Sequence, residues 1–587
     1  MSQIAQKSGN TGIGREMPAK AQTGVFNMKR DSENAHIRQL KADMDHGRMH
    51  RREFLRLALL LGIAAPAAYA MAGESLEELL IPSAEAATTV PGSVLRFGGR
   101  VKDVKTPHTY SWGAYDSNMS RQVVEYLTYT DETGLTRPYL CTKWEVSDDL
   151  RTWTFHIRQG VKWRKGGKPL TADDVIWNLK RVLDPAVGSS MIGLMKGYML
   201  DDVDTGTKDS SGKPVLTTKL WSDKAIEKID DYTFRFNCKT AQVAIPEHLF
   251  SYPMAIMDPA EGGVFGIGAN GTGAYEMTEY ELGKRAVFKA SKACWRGAPT
   301  VETIEFVDLG DDATAAIAAL ASKQIDGLIV ADPIQYTPLK AIPHLQLYQV
   351  ATAETAVMRM KVTEKPFTDK RVRQAFRLAI DPKPIVEVAV AGLGITGEHT
   401  HVSPANPEYA KITPFKRDVA KAKSLLAEAG YPNGIEVELV VPTDIPWEQV
   451  QAEAALQQWA EAGIKVKLNV MPGAQYWDIW TKVPFGTTIW YHRPLAIMTL
   501  ALGYRTGVPW NESSYSNPEF DQLLSQAEAT LDVEQRKVIM AKLEAIMQDD
   551  GPLVQPLFRN VFTFIDKKVK GFRMHPSTYV FCWRMSV

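Results

Sequence analysis

The stretch TWTFHIRQGVKWRKGGKPLTADDVIWNLKRVL, Thr152 to Leu183, carries two periodicities within one short span. From Thr152 to Trp163 apolar and polar residues alternate, the period of a strand with one face buried. The period then changes. Val175, Ile176, Leu179, Val182 and Leu183 gather on one helical face, while Thr171, Asp173 and Asp174 supply a cap and an acidic first turn. A strand leading into a capped helix predicts a mixed α/β chain.

Working outward, the same alternation continues without repeats or long low-complexity linkers. DYTFRFNC reads as a strand, and GAYEMTEYELGKRAVFKAS reads as a hairpin turning at Glu281–Leu282–Gly283. DATAAIAALASKQID is a predicted helix ending near Asp326–Gly327. DVAKAKSLLAEAGYPNG is a helix stopped by Gly430 and Pro432, followed by the strand IEVELVVP. EQVQAEAALQQWAEAGIKVKLNVMP repeats that plan, which suits a βαβ lobe. Two helices close the pattern, NPEFDQLLSQAEAT and Val533 to Gln548.

With 587 residues the chain is too long for one core, so two or three lobes are expected. Lys+Arg equals Asp+Glu at 68 each, which gives no basic excess to bind nucleic acid or an anionic membrane. Four separated cysteines (Cys141, Cys238, Cys294, Cys582) form no CxxC pair. Zinc ribbons and thioredoxin-like sites therefore lack support, and one or two disulfides stay open as an alternative.

The first ninety residues read as an address. A polar, unpatterned segment precedes HRREFLRLALLLGIAAPAAYA, in which Arg51 and Arg52 stand before an apolar run from Leu57 to Ala70. That run is shorter than the ~20 residues a membrane span needs, and Pro66 weakens it as a helix. Ala68–Tyr69–Ala70 and Ala84–Glu85–Ala86 offer small-x-small cleavage patterns. The order R-R-x-F-L-R resembles a twin-arginine export signal, so residues 1–86 are expected to be leader and the remainder a soluble, exported, near-neutral periplasmic protein.

Three apparent motifs fail on context. Gly266 to Gly271 spells G-x-G-x-x-G but runs into a strand, so no helix N-terminus faces a pyrophosphate; a glycine turn letting backbone approach a cleft fits better. Asp201 to Gly212 resembles a calcium loop, yet the glycine is out of place and Lys213 stands where a closing glutamate belongs; a solvated turn is expected. No G-x-S-x-G or S-x-x-K stands in a matching context, so no enzyme, catalytic residue or cofactor is expected. His399 and His401 form a two-imidazole metal candidate, against the plainer reading of polar loop residues.

Four segments in order resemble the peptide/opine/nickel-type bacterial extracellular solute-binding proteins of family 5, which serve ABC importers. They are Pro138–Pro185, Asn270–Phe306 with Gly273–Tyr275 and Trp295–Gly297, Phe367–Gly394, and Ser514–Thr530. The resemblance implies a two-lobed periplasmic-binding-protein clamp, type II-like, with an additional inserted domain. By analogy domain I takes 88–130, 229–308 and 560–587, domain II 131–228, and domain III 309–559. It further implies hinge closure over a peptide or small-molecule ligand, an inner-membrane ABC permease as partner, and a monomer.

The resemblance also selects site residues. Trp112, Gly113 and Ala114 match the family's ligand-lining stretch, with core packing the alternative for Trp112; Thr272, beside the Gly-Tyr motif, joins them. In the second lobe, Trp490, Tyr491, His492 and Arg493 fall where peptide-binding relatives carry Trp-x-x-Asp, whose acid holds the peptide ammonium. Arg493 replaces that acid, and none follows until Glu512. A guanidinium repels an ammonium and suits a carboxylate or phosphate, which turns the expected ligand toward an anionic solute such as an opine or sugar conjugate. The alternative for Arg493 is a surface position; the alternative for the ligand is a metal or metal chelate held by His492 with His399 and His401.

Overall fold

The computed structural model describes residues 35–61, 63, 65–73, 88–110, 114–209 and 212–587. The chain divides into two units, 1–80 and 81–587. In the first, helices span Ala35–Asp45, Arg51–Leu60 and Ala65–Ala72. The Leu57–Ala70 run is thus broken, with Pro66 at the second position of a new helix, where its missing N–H costs nothing. Among the described residues no helix is long and apolar enough to cross a membrane.

The second unit is built on a sheet with twelve strands among the described residues. In chain order they are β1 Val90–Gly99, β2 Tyr275–Glu281, β3 Arg285–Ala290, β4 Val301–Asp308, β5 Gly327–Leu328, β6 Leu345–Met360, β7 Gly394–Thr396, β8 Ile435–Pro442, β9 Ile464–Met471, β10 Phe485–Trp490, β11 Leu553–Val554 and β12 Leu557–Asp566. Their spatial order is β2-β3-β4-β1-β5-β12-β6-β10-β8-β9, with β7 on β12 and β11 on β6. The first half carries β1 parallel to β4 and β5; the second carries β8 parallel to β9 and β10.

Strand β6 joins the halves. Residues 345–354 pair with β12, and residues 355–360 pair with β10, with a register irregularity between Ala351 and Glu354. Burial changes at the same place: the start of β6 is largely open, whereas Thr352 to Met360 is buried throughout. Behind the second half, Phe376 and Phe485 pack edge to face, with Trp459 tilted against both, in one core. That core is the reason the helices Lys370–Leu378 and Pro446–Glu461 lie against the sheet.

The opening stretch folds as its periods require. Thr152–Ile157 is a strand between Cys141–Val146 and Thr233–Asn237, and Ala172–Val182 is a helix with a Thr171/Asp174 capping box. Two expectations need correction. The helix from Ala313 ends at Ala321 rather than near Asp326, because Lys323 takes φ +59°, a left-handed conformation that ends the helical run. Asp201–Lys208 is not a turn but a strand paired with Pro214–Leu220. All four cysteines are buried and free, so no disulfide forms.

Candidate functional site

The site begins where strand β10 ends. All six residues of β10 are buried, and Trp490 stands opposite Thr355 of β6. Past Trp490 the chain leaves the ladder, and residues 491–494 form a half-buried loop before the wholly buried helix Ala496–Gly503. Both ends are therefore pinned. The loop is also tied to the crossover strand, since the Ala353 N–H donates to His492 Nδ1 at 3.1 Å. Burial first, then the charges near His575 and Arg493, push the His492 imidazole down to about 3. His492 is accordingly neutral, with Nδ1 as acceptor, and acts to hold the loop to β6.

Trp490 is fixed from behind. Its Nε1–H donates to Glu512 Oε1 at 3.0 Å, while Glu512 Oε2 accepts from Arg359 Nε at 2.9 Å and from Thr488 Oγ1 at 2.5 Å. Arg359 also donates to the carbonyls of Val483 and Trp480. This buried ion pair uses up the acid that follows Arg493 in sequence, so Glu512 is not free to hold a ligand's ammonium. A Cβ at Gly503 would lie 3.0 Å from the Trp490 indole, so that helix residue must be small.

Three adjoining cavities open around the loop, and Tyr491 lines each of them. The first, about 1020 Å³ counting its mouth, lies at the C-terminal ends of β1, β5, β8 and β10 and presents Arg100, Asp332, Asp444, Trp447, Tyr491 and Arg559. Ligands of open α/β sheets settle at such strand ends, where loops from both halves converge. Arg559 pairs with buried Glu354 at 2.5 Å, and its guanidinium lies 5.3 Å from the Trp447 ring centroid. Burial raises the Glu354 carboxyl and Arg559 opposes it. The second cavity joins His492, Arg493, Tyr252, His575, Ser577 and Tyr579. The third joins Arg493 to Tyr252 and to a group of tryptophans on the second half of the sheet.

Arg493 thus reaches two cavities, with its guanidinium 5.5 Å from the Trp490 ring centroid and an N–H donated to the Tyr491 carbonyl at 3.3 Å. Burial lowers its proton affinity, while the phenols of Tyr252 and Tyr579 act in the opposite sense. Of the other expected site residues, Ala114 is buried and lines the first cavity. Trp112 and Gly113 lie outside the described residues. Thr272 is buried elsewhere: its hydroxyl donates to Glu125 Oε2 at 2.7 Å, in a cluster where Trp295 and Arg296 bond the same carboxylate. It lines none of the three cavities.

The glycine turn likewise answers to packing. A Cβ at Gly271 or Gly273 would strike the Val123 carbonyl, so these glycines admit a neighbouring backbone rather than a ligand. His399 Nδ1 accepts from the Gln555 N–H at 2.9 Å, and His401 bonds the Tyr504 hydroxyl and packs edge-on against Trp490. Burial pushes both imidazoles down to about 3. Both histidines lie in a loop, as expected, but they are buried in it rather than facing water. Among the described residues no three His, Cys, Asp or Glu side chains are grouped to hold a metal.

Sequence reasoning missed Asp444, Arg559 and the indoles of Trp477, Trp480 and Trp510. The one signal available was density, since four of the 14 tryptophans fall between residues 477 and 510.

Comparisons agree with this architecture. The family model described as bacterial extracellular solute-binding proteins, family 5 Middle, matches residues 136–503. The chain is 25% identical to heme-binding protein A of Haemophilus influenzae over 503 residues, 81% of this chain and 88% of that one. It is 24% identical to the dipeptide-binding protein of Escherichia coli over 501 residues, 80% and 90% of the two chains. Among solved structures, the periplasmic binding protein DppA of Helicobacter pylori, in complex with peptide STSA, superposes with a TM-score of 0.72 at 19% identity, covering 84% of this chain and 97% of that one. The binding protein AgaA from A. tumefacien R10, in complex with agropinic acid, gives 0.72 at 23% identity, covering 84% and 98%.

Proposed function

Because this chain belongs to the bacterial extracellular solute-binding proteins of family 5, we propose that it is the substrate-binding component of an ABC importer, capturing a small polar solute between its lobes. The observation that carries the reading is the Tyr491–Arg493 loop, which lines cavities faced by both halves of the sheet and is bonded to their crossover strand. Relatives named for dipeptides and for heme, and a structural neighbour holding agropinic acid, frame the ligand class. Arg493 favours an anionic head group, since a buried guanidinium pairs with a carboxylate through two parallel bonds. No chemistry is assigned to the site. The Arg51–Arg52 pair is read as a twin-arginine export signal, which makes the mature protein periplasmic and its partner an inner-membrane permease.

A ligand touching both lobes stabilises the closed state, so binding shifts the population toward it. Small-angle scattering on purified protein with its co-purifying ligand restored after removal is expected to show a smaller radius of gyration and a Tm that rises with ligand concentration. A bound ligand with no compaction would overturn the clamp. Absence of any bound or binding solute would overturn the transport reading itself.

A further inference from the structure

The third cavity has a composition that solute capture in general does not explain. Trp477, Trp480, Trp490 and Trp510 line it with Tyr252 and Tyr491, and Arg493 stands at its edge. The indoles meet at steep angles: Trp480 and Trp510 are perpendicular with centroids 5.8 Å apart, and Trp490 and Trp510 make 76° at 6.1 Å. Trp477 and Trp480 make 63° at 6.3 Å. Rings so disposed enclose a corner, not the parallel-walled slot that would sandwich a flat ring. No acidic residue lines this cavity among the described residues: Glu512 accepts from the Trp490 indole at 3.0 Å and from the Thr488 hydroxyl at 2.5 Å and is already paired with Arg359, and Asp444 accepts from the Trp477 indole at 3.1 Å and lines the first cavity instead.

These features select for charge without hydrogen-bond donors. A primary ammonium brought here would lose water and find no carboxylate for its N–H groups, only the hydroxyls of Thr109, Ser190 and Thr488, a costly burial for a charge. A quaternary ammonium has no N–H to satisfy and is held by the negative faces of aromatic rings, tryptophan best of all. Arg493 supplies the complementary end. Among the described residues it pairs with no carboxylate; it bonds the Tyr491 carbonyl and the Tyr252 side chain and lies 5.5 Å from the Trp490 ring. Its guanidinium and the indole corner are therefore a short linker apart.

We propose that the tryptophan-lined end of the cleft binds a zwitterion in which a quaternary ammonium sits among the indoles and a carboxylate, a few bonds away, pairs with Arg493. This rests on the solute-binding reading and names its substrate class. The test uses the full mature chain, stripped of bound solute, with carnitine and glycine betaine as probes in calorimetry and indole-fluorescence titration. Glycine and γ-aminobutyrate serve as primary-amine counterparts and benzoate as a flat anion. The expected result is binding of a betaine with quenched or shifted indole emission, and weaker binding of its primary-amine counterpart.

Trp480→Ala and Trp510→Ala should each weaken the betaine about 10- to 30-fold while Trp510→Phe keeps part of the affinity. Both indoles are half-buried, so folding is checked by circular dichroism and Tm on the same samples. Preference for benzoate, or equal affinity for the primary amines, overturns the proposal, as does betaine binding unaffected by either tryptophan change. If mass spectrometry of the released native ligand finds a solute without a quaternary ammonium, and the betaines do not bind, this proposal falls while the transport reading stands. If no solute is released and none binds, the transport reading falls with it.

Discussion

At the scale of single residues, the roles proposed for Arg493 and Glu512 separate binding from stability. Arg493 lines two cavities and is half-buried, with no carboxylate partner among the described residues. Arg493→Ala removes the charge offered to an anion and should weaken native-ligand affinity by about 2–5 kcal/mol while leaving Tm nearly unchanged; Arg493→Lys, which lacks the fork, should restore only part. Glu512 is buried and bonds Arg359, Thr488 and the Trp490 indole together. Glu512→Ala strands a buried guanidinium, a change worth about 3–5 kcal/mol, so it should lower Tm sharply before any ligand is added. Thermal melts and calorimetry on the two variants check both halves; a lowered Tm in Arg493→Ala, or an unchanged one in Glu512→Ala, would contradict the assigned roles.

At the scale of elements, periodicity and capping did most of the work. The helices Val419–Glu428 and Pro518–Glu528 form where the sequence reading expects them, with Asp418 and Asn517 as the caps the structure adds, and β8 and β9 flank Pro446–Glu461 as a parallel pair. Local chemistry decides such features, because a cap or an amphipathic face acts over a few residues. Where an element ends was less legible: nothing in ASKQID marks Lys323 as left-handed. Nor does composition show that β6 serves two halves of the sheet. Its alternation is interrupted at Ala351–Glu354 only because β12 pairs on one side of that point and β10 on the other, and both partners lie more than a hundred residues away.

At the scale of the whole molecule, buried titratable groups set a pH window. Burial pushes His248, His399, His401 and His492 down to about 3 and His108 and His575 to about 4. Unfolded, these imidazoles protonate near 6.5, so the unfolded state binds more protons below that pH and stability falls from about pH 6.5 toward pH 4. Burial raises Glu448 and Glu544 to about 8, so their contribution is full below about 4.5 and is lost as pH rises toward 8. The histidines outnumber the carboxyls on the acid side. Tm should therefore peak between about pH 6 and 7 and decline in both directions, which a scan of melts against pH checks; a flat profile from pH 5 to 8 would contradict these burials. Export is also a property of the whole chain. On the proposed twin-arginine reading, Arg51→Lys and Arg52→Lys together keep charge but lose the receptor-read pair, so fractionation should find the precursor in the cytoplasm. Normal periplasmic accumulation of that double variant would exclude a twin-arginine route.

The sequence by itself determined the α/β class, the capped helices, the family resemblance and the loop Trp490–Arg493 as the place to look, because these rest on local periods and short motifs. Tertiary structure decided what those residues do. It turned His492 into an acceptor for β6, spent Glu512 on Arg359, set Thr272 against Glu125, and gathered four tryptophans around one cavity. Each of these outcomes is fixed by which distant segment packs alongside, through burial and hydrogen-bond satisfaction, and no short window of sequence contains both partners.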